Sequence, residues 1–519
     1  MSPPPRRGAW LGALVSTCLT VAAFAQDTAV PIPGAVGEAR GADRPATARP
    51  EPDRAERRLP ADVTTRHVLE LPGRTLRFAA TAGSIRLADP QGQPQADIAV
   101  IDYQLETDQP ANQRPVTFVL NGGPGASSAW LHLGALGPWR LPMAGDAALP
   151  SAPPQILPNA ETWLDLTDLV FIDPVGTGYS DFARPGEELR RRLWSVEGDI
   201  QSLAEVMRRW LEKTGRVGSP KFLVGESYGG FRGPRLARAL QSDQGIGLLG
   251  LMLISPVLDF AGRGSPFDPL AQATRLPSMV AAARAASGAV ITQESLAEVE
   301  RYALGAYLVD LLRGERDAEA VVHLSERVAA LTGLDPALVR QRRGRLETGD
   351  FLRELHRGSQ RVGSAYDATE ARPDPFPAAL VSRHPDPVLD GLMAPLTSAM
   401  LELYGKRLDW RPEGRRYELL NRSVSQEWGW GGALNPPEAI GSLRTALALD
   451  TRLRVVVAHG LFDLVTPYSA TRVILDQLPA TAGADRLRFL AYPGGHMFYA
   501  LDGSRAALRE EARSLLEGR

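Results

Sequence analysis

The sequence predicts an α/β fold in which a mostly parallel central sheet carries an inserted helical segment. Short apolar runs that each end in a loop indicate buried strands, and helical stretches lie between several of them. A long gap of mostly helical pattern before the last two runs indicates the insertion. The apolar runs are VTFVL (116–120), LVFID (169–173), KFLVG (221–225), LMLIS (251–255), RVVVAHG (454–460) and RLRFLAYPG (486–494).

The first 25 residues have the pattern of a secretion signal. Arg6 and Arg7 precede an apolar stretch over 10–25, which is too short for a comfortable membrane span and ends in an A-x-A cleavage pattern. We interpret residues 1–25 as a signal peptide. The chain is therefore expected to be exported, either to the periplasm or out of the cell.

The single cysteine of the chain, Cys18, lies within this apolar stretch. Cleavage after Ala25 would remove it and would leave a mature chain without disulfides or thiol chemistry. The alternative is that Cys18 is a lipidation site.

The composition excludes several classes of protein. The 519 residues are 44% hydrophobic and 23% charged, which is typical of a globular chain. The formal net charge of −2 provides no basic surplus for binding nucleic acid. No apolar run after the signal is long enough to cross a membrane, so no membrane contact is expected once the signal is cleaved.

The first half of the chain is predicted to hold a leader and the first part of the core. Residues 26–62 are rich in Pro, Ala, Arg, Asp and Glu without an apolar period, which predicts a flexible leader. The core is predicted to begin over 63–260. Its β-rich start, from about Thr64, is divided by Pro-Gly, Asp-Pro and Gln-Gly turns, which predicts antiparallel strands. The pattern over 195–215 predicts a helix.

A helical insertion is predicted over 261–395, and the second part of the core over 396–519. Residues 292–314 have apolar side chains at helical spacing. A further helix is expected to begin with Asp335 as its N-cap and Pro336 at its first position. Such an insertion between two strands is well placed to shape a cleft over the sheet.

A G-x-S-x-G pattern follows the run at 221–225. Gly225 and Gly229 flank Ser227, and small residues on both sides of a serine allow a sharp strand-to-helix turn that exposes its hydroxyl. The pattern is short, so the alternative is a turn that only closes a strand. A catalytic serine needs a base, an orienting acid and an oxyanion hole.

The stretch VLNGGPGASS (119–128) follows an early strand and is a candidate oxyanion hole. Gly122 and Gly123 leave backbone N–H groups unshielded, and donors aimed at a developing negative oxygen contribute strongly to acyl transfer. The alternative is a glycine turn that only requires positive φ.

The acid and the base are expected after the serine, in the order Ser, Asp, His. Asp463 comes directly after the run at 454–460, and His496 comes directly after the next run. His459 precedes Asp463 and breaks this order, so we interpret it as structural. No histidine or carboxylate spacing typical of a metal site is present in the sequence.

Five motifs in one order make the chain similar to a known family, the serine carboxypeptidases (the S10 peptidases). The resemblance extends from about Thr64 to the C-terminus and is weakest in the insertion. The motifs are NGGPGASS (121–128), DPVGTGYS (173–180), GESYGG (225–230), GLFDLVTP (460–467) and GGHMFY (494–499).

The resemblance implies an α/β-hydrolase fold, a mostly parallel central sheet with an inserted helical cap domain. It also implies a catalytic triad. Ser227 would be the nucleophile, His496 the general base and acid, and Asp463 the group that orients His496.

The resemblance further implies two sets of binding groups. The backbone N–H groups of Gly123 and Tyr228 would form the oxyanion hole. Asn121, Gly122 and Glu226 match the residues that hold the C-terminal carboxylate of the substrate.

Three positions depart from the better-known eukaryotic members of the family. Val119 stands in place of Trp, Ala126 in place of Cys, and Ala135 in place of Glu. Without a carboxyl at Ala135, the acid that neighbours Glu226 in those members is missing. This departure makes the acidic pH preference and the strictness of carboxylate recognition open questions. The chain resembles a bacterial, exported branch.

The function implied is that of a serine-type carboxypeptidase, which releases C-terminal residues from peptides through an acyl-enzyme on Ser227. It requires no metal and no organic cofactor. The alternatives are an esterase or acyltransferase that uses the same triad, and an interaction protein that has lost turnover. The occupied triad positions argue against the last alternative.

Overall fold

The computed structural model describes residues 58–145, 149–261, 267–379, 384–432, 436–479 and 486–518. The predicted signal peptide, with Cys18, and residues 26–57 of the predicted leader lie outside the described residues.

The strands form one large mixed sheet and two small antiparallel pairs, β5–β6 and β11–β12. The strands are β1 (Val63–Leu71), β2 (Arg74–Ala88), β3 (Pro94–Leu105), β4 (Val116–Leu120), β5 (Trp139–Arg140), β6 (Leu157–Pro158), β7 (Asp168–Ile172), β8 (Asp181–Phe182), β9 (Lys221–Glu226), β10 (Gly250–Ile254), β11 (Arg361–Gly363), β12 (Ala371–Pro373), β13 (Arg454–Gly460) and β14 (Leu487–Tyr492).

The large sheet has the strand order β1-β2-β3-β7-β4-β9-β10-β13-β14, with β8 paired to β3. Neighbours from β1 to β7 are antiparallel, as the turns after Thr64 predict, and neighbours from β7 to β14 are parallel. The carboxyl ends of β4, β9, β10, β13 and β14 therefore meet at one edge of the sheet, which is where α/β folds bind ligands.

The helices cover both faces of this sheet and fill most of the chain between β10 and β13. They are α1 (Ala129–Leu131), α2 (Glu187–Leu193), α3 (Val196–Lys213), α4 (Tyr228–Asp243), α5 (Pro269–Ala286), α6 (Ala297–Tyr302), α7 (Leu308–Arg313), α8 (Ala318–Thr332), α9 (Pro336–Gln341), α10 (Thr348–Glu354), α11 (Leu389–Glu402), α12 (Arg422–Gln426), α13 (Ile440–Leu449), α14 (Tyr468–Leu475) and α15 (Asp502–Leu516). The predicted cap of α9 is confirmed, since the Asp335 side chain accepts from the N–H of Ala337 and Pro336 is the first helical residue.

The apolar runs that predict the central strands coincide with β4, β7, β9, β10, β13 and β14 to within two residues at either end. Every residue of β4, β7 and β10 is buried, because parallel strands are covered by helices on both faces. Burial on both faces explains why their sequences read as unbroken apolar runs rather than as alternating patterns.

The buried side chains form a cluster on each face of the sheet and a third among the insertion helices. The third cluster includes Leu461, Phe462 and Leu464, which follow β13. The helices of the insertion thus pack directly on the loop that carries Asp463. The predicted boundary at 395 lies inside α11, which packs in the same cluster as strands of the sheet.

No helix in the described part of the chain is both long and apolar enough to span a bilayer.

Candidate active site

Ser227 occupies the sharp turn between β9 and α4. Its φ of 59° and ψ of −117° are rare for a residue with a side chain, and strain of this kind concentrates at functional sites. Its N–H donates to the carbonyl of Ile254 (2.9 Å), and its carbonyl accepts from the N–H of Val257 (3.2 Å). The partly exposed side chain has the position of the predicted nucleophile elbow.

The glycines around Ser227 are required by close packing. A Cβ on Gly225 would lie 2.1 Å from the carbonyl oxygen of Gly229, and one on Gly229 would lie 2.5 Å from the carbonyl oxygen of Leu120. Because these neighbours are backbone atoms, they cannot move aside. The G-x-S-x-G pattern is therefore explained by the geometry of this turn.

His496 and Asp463 form a buried pair. Nδ1 of His496 lies 2.7 Å from Oδ2 of Asp463, and both residues are at most 2% exposed. Since a carboxylate only accepts hydrogen bonds, this contact assigns the proton to Nδ1 and leaves Nε2 as the basic nitrogen. The Oδ1 atom of Asp463 accepts from the N–H groups of Val465 (2.8 Å) and Thr466 (2.9 Å).

The side chain of Thr466 completes this arrangement. Its Oγ1 lies 2.6 Å from Oδ2 of Asp463 and 3.1 Å from Nδ1 of His496. It also lies 3.1 Å from the carbonyl oxygen of Ser255, so the hydroxyl is surrounded by three polar partners. Thr466 therefore contacts both the acid and the imidazole and helps to orient the pair.

Ser255 joins the loop of Ser227 to His496. Its Oγ donates to the carbonyl of His496 (2.8 Å), and its own φ is 42°. The preceding residue, Ile254, accepts from the N–H of Ser227. The proposed nucleophile and the proposed base are therefore held by two consecutive residues at the end of β10.

The predicted oxyanion donors lie at the same edge of the sheet. A Cβ on Gly122 would lie 2.7 Å from the backbone nitrogen of Tyr228 and 2.8 Å from Cβ of Ser227, so the glycine loop faces the elbow. Gly123 is exposed and has a φ of 99°. Within the described residues, the N–H groups of Gly123 and Tyr228 have no hydrogen-bond acceptor, as donors for an incoming oxyanion require.

Glu226 is only 3% exposed and directly precedes Ser227. Its Oε2 accepts from Nδ2 of Asn121 (2.8 Å) and from the hydroxyl of Tyr499 (2.7 Å). Burial raises the pKa of Glu226 to about 7, against the opposing effects of His496 and of the two hydrogen bonds. The negative charge of Asp463 adds a smaller contribution to the elevation.

Residues 100–274 match the sequence model of the family described as serine carboxypeptidase. The resemblance to the serine carboxypeptidases is confirmed. The matched segment contains Ser227, Glu226, Asn121 and Gly123, whereas Asp463 and His496 lie beyond it.

Two curated relatives from Arabidopsis thaliana show the extent of the similarity. Serine carboxypeptidase-like 36 is 27% identical over 198 residues, which cover 37% of this chain and 38% of the relative. Serine carboxypeptidase-like 28 is 27% identical over 206 residues, which cover 37% of this chain and 40% of the relative. The chain thus spans about two fifths of the length of the curated relatives it matches.

A solved structure extends the likeness to the whole fold. A prohormone-processing carboxypeptidase from Saccharomyces cerevisiae superposes with a TM-score of 0.52 at 16% identity, covering 85% of this chain and 91% of that one. The predicted α/β-hydrolase fold, with its mostly parallel sheet, is confirmed.

Three residues at this serine carboxypeptidase-like site are not predicted by the sequence: Tyr499, Thr466 and Tyr366. Tyr499 lies within the GGHMFY motif and Thr466 within the GLFDLVTP motif, so membership of these motifs could have indicated a role at the site. No sequence motif marks Tyr366. It lies in the predicted insertion, and it acts through its backbone carbonyl, which accepts from the N–H of His496 (2.5 Å).

His459 has no role that the geometry supports. It is fully buried, burial lowers its pKa to about 4, and neither ring nitrogen makes a hydrogen bond of normal geometry with another described residue. Its ring packs against Phe489. No group of three or more potential metal ligands occurs in the described ranges.

Two cavities are lined by residues that contact the proposed triad or lie near it. A cavity of about 40 Å³ lies beside Tyr366 and Met497. A larger one, of about 480 Å³, lies beside Val257 and Thr466. Two residues of its lining contact the proposed triad: the N–H of Val257 donates to the backbone carbonyl of Ser227, and Oγ1 of Thr466 contacts Asp463 and His496.

Proposed function

We propose that this protein is a serine-type carboxypeptidase that releases C-terminal residues from peptides. The observation that carries the proposal is the buried Glu226, held by Asn121 immediately beside Ser227. Acyl transfer needs no acid at this position, whereas recognition of a terminal carboxylate does need polar donors here.

The proposed reaction begins at the hydroxyl of Ser227. Nε2 of His496 takes the hydroxyl proton as Oγ attacks the carbonyl carbon, and Asp463 stabilises the resulting imidazolium. The N–H groups of Gly123 and Tyr228 stabilise the oxyanion of the tetrahedral intermediate. His496 then donates the proton to the leaving amine, and the same steps with water release the acyl group from Ser227.

The terminal carboxylate would lie against Asn121, Gly122 and Glu226. An ionised Glu226 repels a substrate carboxylate, whereas a neutral one donates a hydrogen bond to it. The raised pKa of Glu226, about 7, keeps a large neutral fraction in mildly acidic solution. Free-acid substrates are therefore expected to be cleaved best below about pH 7.

The order of the strands supports a direction for the bound peptide. Asn121 follows β4 on one side of β9, whereas Val257 and Thr466 follow β10 and β13 on the other side. A substrate whose carboxylate lies at Asn121 would extend its acyl part toward β10. The cavity of about 480 Å³ would then receive the side chain of the penultimate residue.

An esterase or acyltransferase is the second candidate, and Ala135 is the observation that favours it. With no carboxyl at this buried position, Glu226 lacks the second acid of the better-known members. The triad itself serves either reaction equally.

Digestion of a mixed peptide library, with products identified by mass spectrometry, tests the proposal. Successive loss of single C-terminal residues supports it. Strong hydrolysis of esters with intact peptides would favour the second candidate. The same purified protein reports on export, because Edman or mass analysis should place its mature N-terminus within a few residues of Gln26.

A further inference from the structure

Glu226 receives both of its protein hydrogen bonds on a single oxygen. Nδ2 of Asn121 and the hydroxyl of Tyr499 both contact Oε2, at 2.8 and 2.7 Å. The other oxygen, Oε1, has no hydrogen-bond partner among the described residues. It is also not one of the fully buried polar atoms that lack a partner, so it keeps some contact with solvent. The small exposure that remains to this side chain therefore includes Oε1, which faces open space.

The position of Tyr499 depends on Gly134, which lies in the short helical segment His132–Leu136. A Cβ on Gly134 would lie 2.7 Å from Cε2 of Tyr499 and 2.6 Å from Sδ of Met143. Gly134 directly precedes Ala135. The segment that carries Ala135 thus leaves, at Gly134, the space that the ring of Tyr499 needs for its hydroxyl to reach Glu226.

We infer that Tyr499 is a positioning residue for Glu226, an inference that rests on the proposed carboxypeptidase function. Because Tyr499 and Asn121 occupy Oε2, the proton of neutral Glu226 lies on Oε1. From there it donates to the terminal carboxylate of the substrate. Tyr499 thereby supplies, as a neutral hydroxyl, the second partner that Ala135 cannot provide.

A hydroxyl and a carboxyl partner have opposite effects on Glu226. A hydrogen bond from Tyr499 favours the ionised form, whereas a neighbouring carboxylate disfavours it. The charged groups that face Glu226 are His496, which lowers its pKa, and Asp463, which raises it. Removal of the Tyr499 hydroxyl should therefore raise the pKa of Glu226 further above about 7.

The test compares a peptide with a free C-terminus and the same peptide as its C-terminal amide, across pH, in wild type, Tyr499→Phe and Glu226→Gln. The ratio of the two kcat/KM values isolates Glu226, because the titration of His496 affects both substrates. In wild type the ratio should fall as pH rises through about 7. In Glu226→Gln it should not change with pH, since the amide of Gln can donate at every pH.

In Tyr499→Phe, the fall in the ratio should move to higher pH by about one unit, the order expected from losing one hydrogen bond to a charged group. At pH 5 the KM for the free acid should rise several-fold while kcat for the amide stays within about twofold. Tyr492→Phe is the matched control, because its ring packs on Phe498 on the same segment.

Two results overturn the inference while leaving the proposed function in place. One is a Tyr499→Phe ratio that follows the wild-type curve. The other is an equal loss on both substrates, which would show that Tyr499 only supports the nearby His496. A wild-type ratio near one at every pH would instead refute the carboxypeptidase proposal itself, and the inference with it.

Discussion

The backbone carbonyl of Tyr366 accepts a hydrogen bond of 2.5 Å from the backbone N–H of His496. The two rings also meet edge to face, with centroids 5.3 Å apart. Since Tyr366 lies in the segment predicted as the helical insertion, that segment is attached directly to the proposed base. The insertion therefore contributes Tyr366 directly to the site.

Truncation of Tyr366 should alter substrate preference more than chemistry. Tyr366→Ala enlarges the small cavity beside Met497 and leaves the backbone hydrogen bond to His496 in place. We expect the relative kcat/KM among C-terminal residues of different size to change by roughly tenfold. Turnover of a small activated ester should change less than about threefold. Leu312→Ala, at an exposed position of α7, is the control. Equal changes on ester and peptides would contradict the expectation.

Substitutions in the triad should abolish most turnover. Ser227→Ala and His496→Ala should each lower kcat by several orders of magnitude, because each removes a group that acts in the transition state. Asp463→Asn should retain some activity, since the amide preserves the shape of the pair but favours the wrong tautomer of His496. Steady-state kinetics and labelling by a covalent serine probe check these results. A Ser227→Ala protein with wild-type turnover would show the assignment to be wrong.

Loss of the Thr466 hydroxyl should lower kcat without raising KM. Thr466→Val keeps the shape of the side chain but removes the contacts with Asp463 and His496. A fall in kcat of about tenfold is expected, the order of one buried hydrogen bond. Thr466→Ser should recover most of the loss. Thr332→Val, which changes a buried threonine of α8 without a contact to the triad, should be near wild type.

The parallel half of the sheet can be predicted from the sequence, because strands that are buried on both faces have continuous apolar sequences. The proposed triad could be predicted because parallel strands end at one edge, so the residues that follow β9, β13 and β14 are expected to lie close together there. Tyr499 could not be assigned in the same way. It contacts Glu226 across 273 positions of sequence, and this contact depends on the side-chain space left at Gly134. Nor could the contact of Tyr366 be predicted, since it is a backbone hydrogen bond made by a loop.

Glu226 should make the folded protein less stable at higher pH. Its folded pKa, about 7, lies above its usual value of 4.5, so the folded state binds this proton more tightly than the unfolded chain does. Its contribution to the free energy of unfolding is therefore fully present below about pH 4.5 and is lost as pH rises through about 7. The full loss amounts to about 3 kcal/mol.

Glu226→Gln should remove this loss. As pH rises from 5 to 8, the free energy of unfolding of the variant should increase relative to that of wild type by about 2–3 kcal/mol, as measured by denaturant unfolding. Subtracting the wild-type curve from the curve of the variant cancels the other described carboxyls whose pKa values are raised by burial, which are Asp102, Asp173, Asp199 and Asp367. A stability difference that does not vary with pH would contradict the raised pKa of Glu226.

The larger cavity should favour a basic side chain at the penultimate position of the substrate. Asp259 and Asp268 line it, and backbone N–H groups of their own turns occupy Oδ1 of each. Arg275 also lines it but lies 3.6 Å from Glu347, which offsets its charge. Within the described ranges, Oδ2 of each carboxylate has no hydrogen-bond donor, so each can accept a cationic partner.

Asp259→Asn and Asp268→Asn test this preference, since asparagine keeps both turns and removes the charge. Each should lower the kcat/KM ratio of penultimate Lys to penultimate Leu by about threefold to tenfold, the range for a partly exposed ion pair. Added salt should lower the wild-type ratio as well. Asp243→Asn, at an exposed position on α4, should leave the ratio unchanged. If both lining variants keep the wild-type ratio, the penultimate side chain does not occupy this cavity.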